Sequence, residues 1–150
     1  MAHSSISQPD ALTTTSPMTT VLIVDDDDAI RSTLYDLLSE RYECHTASRA
    51  EEALQYLEVQ SYDAVLTDIA MPGLTGLELL QRVQQGNSGT PVILISGKGA
   101  EQDGDALIGM GAFAYVTKPF NLDQIELIVE RAVEKRLFAG SHEQTDQQNK

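Results

Sequence analysis

Continuous aliphatic runs, set between segments of helical periodicity, constrain the fold of this chain more than any other feature. Residues 21–24 and 92–95 contain only valine, leucine and isoleucine. Such runs are typical of strands that are covered on both faces of a parallel sheet. A third strand is predicted over residues 62–68, shortly before a turn at Pro72 and Gly73. We therefore expect Asp68, the last residue of that strand, to be held at the rim of the sheet.

The remaining segments complete an alternation of strands and helices. Further strands are predicted at residues 42–47, at an edge of the sheet, and at residues 112–117. Helical spacing of apolar residues predicts five helices, over residues 30–41, 50–57, 76–85, 100–111 and 122–137. Gly104 and Gly109 weaken the fourth helix, because glycine costs about 1 kcal/mol relative to alanine. Short βα units of this kind predict a flavodoxin-like α/β fold, a doubly wound five-stranded parallel sheet of order 2-1-3-4-5 with five helices.

One domain is predicted, over residues 20–138. Residues 1–20 are rich in serine and threonine and are expected to be a disordered leader, and residues 139–150 are expected to be a disordered tail or the start of a linker. The only cysteine, Cys44, excludes an internal disulfide and is expected to be a buried thiol. No apolar stretch reaches the length of a membrane span and no signal peptide is recognisable, so a cytoplasmic protein is expected.

Net charge limits the partners that the chain can bind. The sequence has 23 acidic and 10 basic residues, which gives a formal net charge of −13. Phosphate backbones and anionic lipids would be repelled by such a surface. We therefore expect no direct binding to nucleic acid or to a membrane.

Acidic residues follow two strands that the predicted order places side by side. Asp25 and Asp26 follow the first strand, and Asp68 ends the third. At near-contact each pair of carboxylates costs roughly several kcal/mol at an effective dielectric near 20, so a cation is needed. A ligand set made only of oxygen suits a hard divalent ion such as Mg²⁺. Asp27 and Asp28, which follow Asp26 in the sequence, suit the N-terminus of the first helix.

Two further strand ends supply a hydroxyl group and a fixed positive charge. Ser96 follows the fourth strand, and Lys118 follows the fifth. A carboxylate nucleophile, a divalent ion, a hydroxyl and an ammonium group are the components that phosphoryl transfer uses. Their arrival at one rim predicts a phosphoryl-transfer site with Asp68 as the nucleophile.

Motifs at four strand ends carry a family resemblance: Val24-Asp25-Asp26, Thr67-Asp68 with Met71-Pro72-Gly73 and Gly76, Ser96-Gly97, and Lys118-Pro119-Phe120. As a set, over about residues 20 to 138, they resemble the receiver domain of two-component response regulators. By this resemblance Asp68 would accept a phosphoryl group from a histidine kinase or a phosphotransfer protein. The domain would be a phosphoacceptor, with self-catalysed phosphorylation and dephosphorylation only, and not an enzyme that acts on other substrates.

The resemblance also implies roles for the residues around Asp68. Asp26, Asp68 and the backbone carbonyl of Ala70 would hold Mg²⁺, and Asp25 would assist through water. Lys118 would bind a phosphoryl oxygen, and the peptide bond between Lys118 and Pro119 would be cis. Ala70 and Lys98, each two residues beyond a site residue, flank the place where a hydrolytic water would approach and would influence the lifetime of the phosphoryl group. A solvated loop lysine is the alternative interpretation of Lys98.

Ser96 and Tyr115 would report phosphorylation to the rest of the domain. The phosphoryl group adds roughly −1.5 to −2 units of charge and strong hydrogen-bond acceptors. Ser96, the switch hydroxyl, would be drawn inward, and Tyr115, the switch aromatic, would fill the space that it leaves. The candidate output surface is the face of the fourth helix, the fifth strand and the fifth helix. It would serve an output domain beyond the C-terminus or a docking partner, and phosphorylation-dependent homodimerisation through it is a further hypothesis.

An enzyme is the principal alternative. Phosphatases of the haloacid dehalogenase type place an Asp-x-Asp motif after their first strand, and Asp25 and Asp27 satisfy it, with Asp25 as nucleophile. This interpretation requires a later acidic strand end that the chain lacks, and it leaves Asp68 unexplained. A flavodoxin-like module that binds a nucleotide or a flavin is the third interpretation, but the acidic turn after the first strand has the wrong sign for phosphate.

Overall fold

The computed structural model describes the backbone of residues 19–86, 89–97 and 104–149, with side chains in these ranges as far as residue 138. The elements follow in the order β1 (Thr20–Val24), α1 (Asp28–Leu38), β2 (Glu43–Ala47), α2 (Ala50–Val59), β3 (Ala64–Asp68), α3 (Gly76–Gly86), β4 (Val92–Ser96), α4 (Gly104–Gly109), β5 (Ala114–Thr117) and α5 (Leu122–Asn149). Lys98 and residues 1–18 of the predicted leader lie outside the described residues.

All five strands run parallel in one sheet of order β2-β1-β3-β4-β5. This confirms the predicted doubly wound, flavodoxin-like fold and the position of β2 at an edge. The strand order reverses at β1, which lies between β2 and β3. In a sheet of this kind, ligands bind at the carboxyl ends of the strands beside that reversal.

The alternation of side chains along the strands divides the core into two layers. Leu22 and Val24 of β1 belong to the layer under α2, α3 and α4, whereas Val21 and Ile23 belong to the layer under α1 and α5. All four side chains are completely buried. A strand that is covered on both faces therefore needs the continuous aliphatic run that the sequence shows. Cys44 is a buried free thiol, as predicted.

Helix α1 begins where the sequence places a cap. The Asp27 carboxylate accepts hydrogen bonds from the amides of Ala29 and Ile30, at 2.9 and 3.2 Å. The helix ends at Leu38, earlier than the predicted end near Arg41. It gives way to a turn in which the Arg41 amide donates to the Leu38 carbonyl at 3.1 Å.

Helix α5 continues to Asn149, whereas residues 139–150 were predicted to be a disordered tail or the start of a linker. The helical backbone differs from the first of these alternatives and leaves the second as a prediction. Its packed part, which includes Ile125, Val129 and Ala132, fixes the helix in place. No proline interrupts residues 139–149, and propagating an existing helix costs far less than starting one. Polarity predicts few core contacts but does not by itself decide backbone conformation. None of the helices in the described ranges has the combination of length and hydropathy needed to cross a bilayer.

Candidate functional site

The register of the strands brings four strand ends to one edge of the sheet. Val24, the last residue of β1, pairs with Thr67 of β3, so Asp25 and Asp68 follow at the same level on adjacent strands. On the other side of β3, the pairing of β4 with β5 places Ser96 beside Thr117, and Lys118 follows directly. The carboxyl edge of the sheet therefore carries all the predicted polar groups.

Asp25, Asp26 and Asp68 form an acidic cluster in which one carboxylate oxygen from each residue lies within 4.8 Å of the others. Asp25 and Asp68 are buried, and Asp26 is exposed. Lys118 reaches the cluster from β5, with its Nζ 3.1 Å from Asp68 Oδ2 and 3.8 Å from Asp25 Oδ2. The predicted convergence of these four side chains is confirmed.

Lys118 remains charged although it is partly buried. Burial lowers the pKa of the ammonium group, but the hydrogen bond to Asp68 and the charge of Asp25 outweigh that effect, and the pKa is raised overall. The peptide bond between Lys118 and Pro119 is cis, as the family resemblance implied. The site therefore has one permanent positive charge that points at Asp68.

Asp25 is the least solvated member of the cluster. Its Oδ1 accepts a hydrogen bond from the Asp27 amide at 2.9 Å, whereas its Oδ2 is buried and has no hydrogen-bond partner in the described part of the chain. Burial raises the pKa of the Asp25 carboxyl to about 6, the Asp27 amide opposes the rise, and the charge of Asp68 adds to it. A buried carboxylate with one free oxygen is a position that a cation or its water would satisfy.

The donor set as a whole fits a hard divalent cation. Three carboxylates and one ammonium group leave a formal charge of −2 in the cluster. The candidate ligand atoms of the cluster are carboxylate oxygens, and the predicted Ala70 ligand is a carbonyl oxygen; Mg²⁺ prefers oxygen over nitrogen or sulfur. Asp25 Oδ2 supports the same conclusion, because it is buried, accepts no hydrogen bond from the described residues and has Lys118 Nζ no nearer than 3.8 Å, and a buried charge without hydrogen bonds is costly.

Close packing between β3 and α3 holds the Asp68 backbone. A Cβ atom on Gly76 would collide with the Asp68 carbonyl oxygen and would lie 2.8 Å from Ile69 Cα, so only glycine permits this approach. The Gly76 amide donates to the Ile69 carbonyl at 2.9 Å. The Ala70 amide donates to Asp68 Oδ1 at 3.3 Å. The start of α3 thus fixes the strand end that carries the carboxylate.

Ser96 and Tyr115 lie on the same face of the sheet. Tyr115 pairs with Leu94, and Ser96 is two residues beyond Leu94 on β4, so the two side chains point to one side. Ser96 is buried, and its hydroxyl makes a long hydrogen bond of 3.5 Å to the adjacent Gly97 carbonyl. The Tyr115 side chain is 41% exposed. The placement suits the predicted switch pair, whose roles remain predictions.

Glu51, at the start of α2, is a site-supporting residue that the sequence did not reveal. Its carboxylate accepts a hydrogen bond from the Leu74 amide at 3.3 Å, in the loop between β3 and α3. A Cβ atom on Gly73 would lie 2.7 Å from Glu51 Oε2. Hydrogen bonds from its own amide and from that of Leu74 lower the pKa of Glu51. An acidic residue in the first turn of a helix has an ordinary explanation, so only the tertiary contact distinguishes it.

The geometry does not support the phosphatase alternative. That interpretation needs the Asp27 side chain as a second functional acid, but its Oδ1 caps α1 through two amide hydrogen bonds. Lys118 lies closer to Asp68 than to Asp25. Asp68, which the phosphatase interpretation left without a role, is the carboxylate that the cationic side chain contacts.

Comparison with known sequences gives a family match over most of the chain. A sequence model of the response regulator receiver domain matches residues 21–130. The chain is 38% identical over 132 residues to the DNA-binding transcriptional regulator NtrC of Escherichia coli K12, across 85% of this chain and 26% of that protein. It is 36% identical over 115 residues to the regulatory protein AtoC of the same organism, across 76% of this chain and 25% of that protein. The chain thus spans about a quarter of the length of these relatives.

Solved structures give the same family. A response regulator receiver domain protein from Clostridium thermocellum superposes with a TM-score of 0.76 at 26% identity, covering 81% of this chain and 99% of that one. NtrX from Brucella abortus superposes with a TM-score of 0.79 at 32% identity, covering 86% of this chain and 30% of that one. With the sheet order and the acidic cluster beside a lysine, these matches leave one conclusion. The chain belongs to the receiver domains of two-component response regulators.

Proposed function

We propose that Asp68 is the phosphoacceptor of this receiver domain and that its phosphorylation switches the face formed by α4, β5 and α5. The observation that carries the proposal is the contact between Lys118 Nζ and Asp68 Oδ2, at 3.1 Å, beside two further carboxylates. Phosphoryl transfer depends on positioning and on positive charge at the phosphoryl oxygens more than on covalent chemistry by the protein. A carboxylate at the rim with an ammonium group aimed at it meets that need.

In the transfer, a carboxylate oxygen of Asp68 forms a bond to phosphorus while the bond from phosphorus to the donor breaks. With a phosphohistidine of a kinase or phosphotransfer protein as donor, the electron pair of the broken bond returns to the imidazole nitrogen. Lys118 neutralises charge on a phosphoryl oxygen during transfer and in the product. Hydrolysis of the acyl phosphate returns free Asp68 and phosphate, so phosphorylation and dephosphorylation are both reactions of the domain on itself.

Asp26, Asp68 and the backbone carbonyl of Ala70 would hold Mg²⁺, and Asp25 would assist through water. When bound, this ion would neutralise and orient the phosphoryl oxygens. The residues of the chain do the rest. Asp25 and Asp26 supply negative charge that attracts the cation. When no cation is bound, Lys118 compensates the negative charge of Asp68.

Ser96 and Tyr115 are the proposed switch pair. A phosphoryl oxygen on Asp68 offers a better acceptor to the Ser96 hydroxyl than the Gly97 carbonyl, 3.5 Å away, does at present. Rotation of Ser96 toward the phosphoryl group leaves room on the face that it shares with Tyr115. Inward movement of the Tyr115 ring then changes the outer surface of β5 and its neighbours.

The proposed output face exposes apolar side chains on each of its three elements. Ile108 on α4, Tyr115 on β5 and Leu127 on α5 are 44%, 41% and 46% exposed. NtrC, of which the chain covers about a quarter, is a DNA-binding transcriptional regulator. We infer that this receiver controls an output domain or a docking partner, while its own net charge of −13 keeps it from binding nucleic acid. A cytoplasmic location, with the unpaired Cys44 in a reducing compartment, completes the proposal.

The test is to incubate the protein with a small acyl phosphate and Mg²⁺ and to locate a hydroxylamine-sensitive phosphoryl adduct by mass spectrometry. Wild type and Asp36→Asn, which removes one charge from the exposed surface of α1, are expected to carry the adduct. Asp68→Asn is expected to lack it. An adduct that persists in Asp68→Asn and disappears in Asp25→Asn would contradict the proposal.

A further inference from the structure

The ring of Tyr115 lies directly on the first residue of α4. A Cβ atom built on Gly104 would overlap Cζ, Oη and Cε1 of Tyr115, which are the atoms at the outer end of the ring. The backbone of Gly104 is therefore in contact with the ring, and no side chain fits between them. A glycine at this position has a steric reason that the sequence alone did not give.

The other end of the same helix provides an internal comparison. A Cβ atom on Gly109 would meet no atom within 4 Å. Neither glycine has the positive φ angle that would call for glycine on backbone grounds. Glycine has a low helix propensity at either position, but only at Gly104 does a tertiary contact require glycine.

The Tyr115 ring contacts α4 by packing and not through a hydrogen bond of its hydroxyl group to any of the described residues. In the described part of the chain no hydrogen bond involves the Tyr115 hydroxyl, and the side chain is 41% exposed. The ring packs over Gly104 and is partly exposed to solvent, although Tyr115 shares one face of the sheet with the buried Ser96. An exposed ring without a hydrogen bond has little to keep it in place except its packing surface.

We propose that Gly104 is a positioning residue, the seat that keeps the Tyr115 ring outward in the unphosphorylated domain. A side chain at position 104 removes the seat, and the ring then turns toward the space beside Ser96. The assignment of that inward position to the phosphorylated state rests on the proposed function. The seat itself rests only on the contact between Gly104 and Tyr115.

Four variants test the seat by equilibrium unfolding: Gly104→Ala, Gly109→Ala, Tyr115→Ala and the double variant Gly104→Ala/Tyr115→Ala. Gly109→Ala is expected to raise the folding equilibrium constant by up to roughly fivefold, the value of replacing glycine by alanine within a helix. Gly104→Ala is expected to lack this gain, because its methyl group meets the ring. In the Tyr115→Ala background the same substitution is expected to recover it, which gives a coupling of roughly fivefold or more between the two sites.

The direction of the ring is read separately, from the attenuation of Tyr115 ring resonances by a soluble paramagnetic agent. Gly104→Ala is expected to reduce the attenuation relative to wild type and Gly109→Ala, because the ring becomes less exposed. Equal stability changes in Gly104→Ala and Gly109→Ala, or an unchanged attenuation in Gly104→Ala, would overturn the seat. The proposed function has its own point of failure: if phosphorylation of wild type leaves the Tyr115 attenuation unchanged, Tyr115 is not the switch aromatic, whatever the variants show.

Discussion

Glu51 shows how a single side chain can join two parts of the chain that the sequence keeps apart. Its bond to the Leu74 amide spans 23 residues and ties the start of α2 to the loop that leaves Asp68. The same loop contains Ala70, whose amide reaches Asp68 Oδ1. Glu51 therefore anchors the loop to the start of α2.

Replacing Glu51 is expected to loosen that loop specifically. In Glu51→Ala the Leu74 amide loses its acceptor, so its hydrogen exchange is expected to be severalfold faster than in wild type. The matched control is Glu52→Ala, one residue further along α2, whose carboxylate accepts from the Ser48 amide at 2.9 Å. Exchange at Leu74 that rises equally in both variants, measured by NMR, would show that the loop depends on α2 as a whole and not on the Glu51 contact.

At the scale of elements, the position of α3 is determined by where it touches β3. Gly76, the first residue of α3, lies against the Asp68 carbonyl and Ile69 Cα. At Gly86, the last residue of the same helix, an added Cβ atom would meet no other atom within 4 Å. One end of α3 therefore approaches the site strand as closely as backbone allows, and the other end is free of such a constraint.

Alanine substitutions at the two ends of α3 are expected to have different effects on stability. Gly76→Ala forces the helix away from the strand and is expected to lower the free energy of unfolding by about 1–3 kcal/mol, the usual cost of overpacking. Gly86→Ala is expected to leave it unchanged or to raise it by up to about 1 kcal/mol. Urea denaturation measures both. Equal free energies for the two variants would mean that α3 can shift without cost.

At the scale of the whole molecule, the acidic cluster makes the stability of the metal-free domain depend on pH. The folded protein raises the pKa of Asp25 from 3.8 to about 6. Between these two values the folded state binds more protons than the unfolded state, so the free energy of unfolding falls as pH rises. Above pH 6 the full cost of the buried charge remains, because Asp25 is then ionised in both states.

When a chelator keeps the protein free of metal, the free energy of unfolding of Asp25→Asn is therefore expected to exceed that of wild type, by up to about 3 kcal/mol at pH 8. The advantage should grow between about pH 4 and pH 6 and stay constant above that window. Urea denaturation at a series of pH values measures it, with Asp36→Asn as the control for charge. Saturating Mg²⁺ should reduce the advantage, because the ion stabilises wild type by binding only the folded state. If the difference in the free energy of unfolding between Asp25→Asn and wild type does not vary with pH, the raised pKa of Asp25 is contradicted.

The sequence by itself determined the order of the elements and the polar residues at the ends of the strands. The aliphatic run in β1, the cap at Asp27 and the polar residues that end four strands are local patterns, and the preference of each depends on neighbours a few residues away. Because parallel strands place their carboxyl ends at one edge, the convergence of Asp25, Asp68 and Lys118 followed from the strand order.

Only the tertiary structure decided how these elements touch one another. The anchor from Glu51 to the loop after β3, the approach of Gly76 to Asp68 and the seat of Tyr115 on Gly104 each join segments that are distant in the sequence. No local pattern records such contacts, because a glutamate in a first turn and a glycine in a weak helix have ordinary local explanations. The helix beyond residue 138 was missed for a related reason, since α5 extends from a packed segment and not from its own composition. Packing between distant segments fixes these features, and it exists only once the chain has folded.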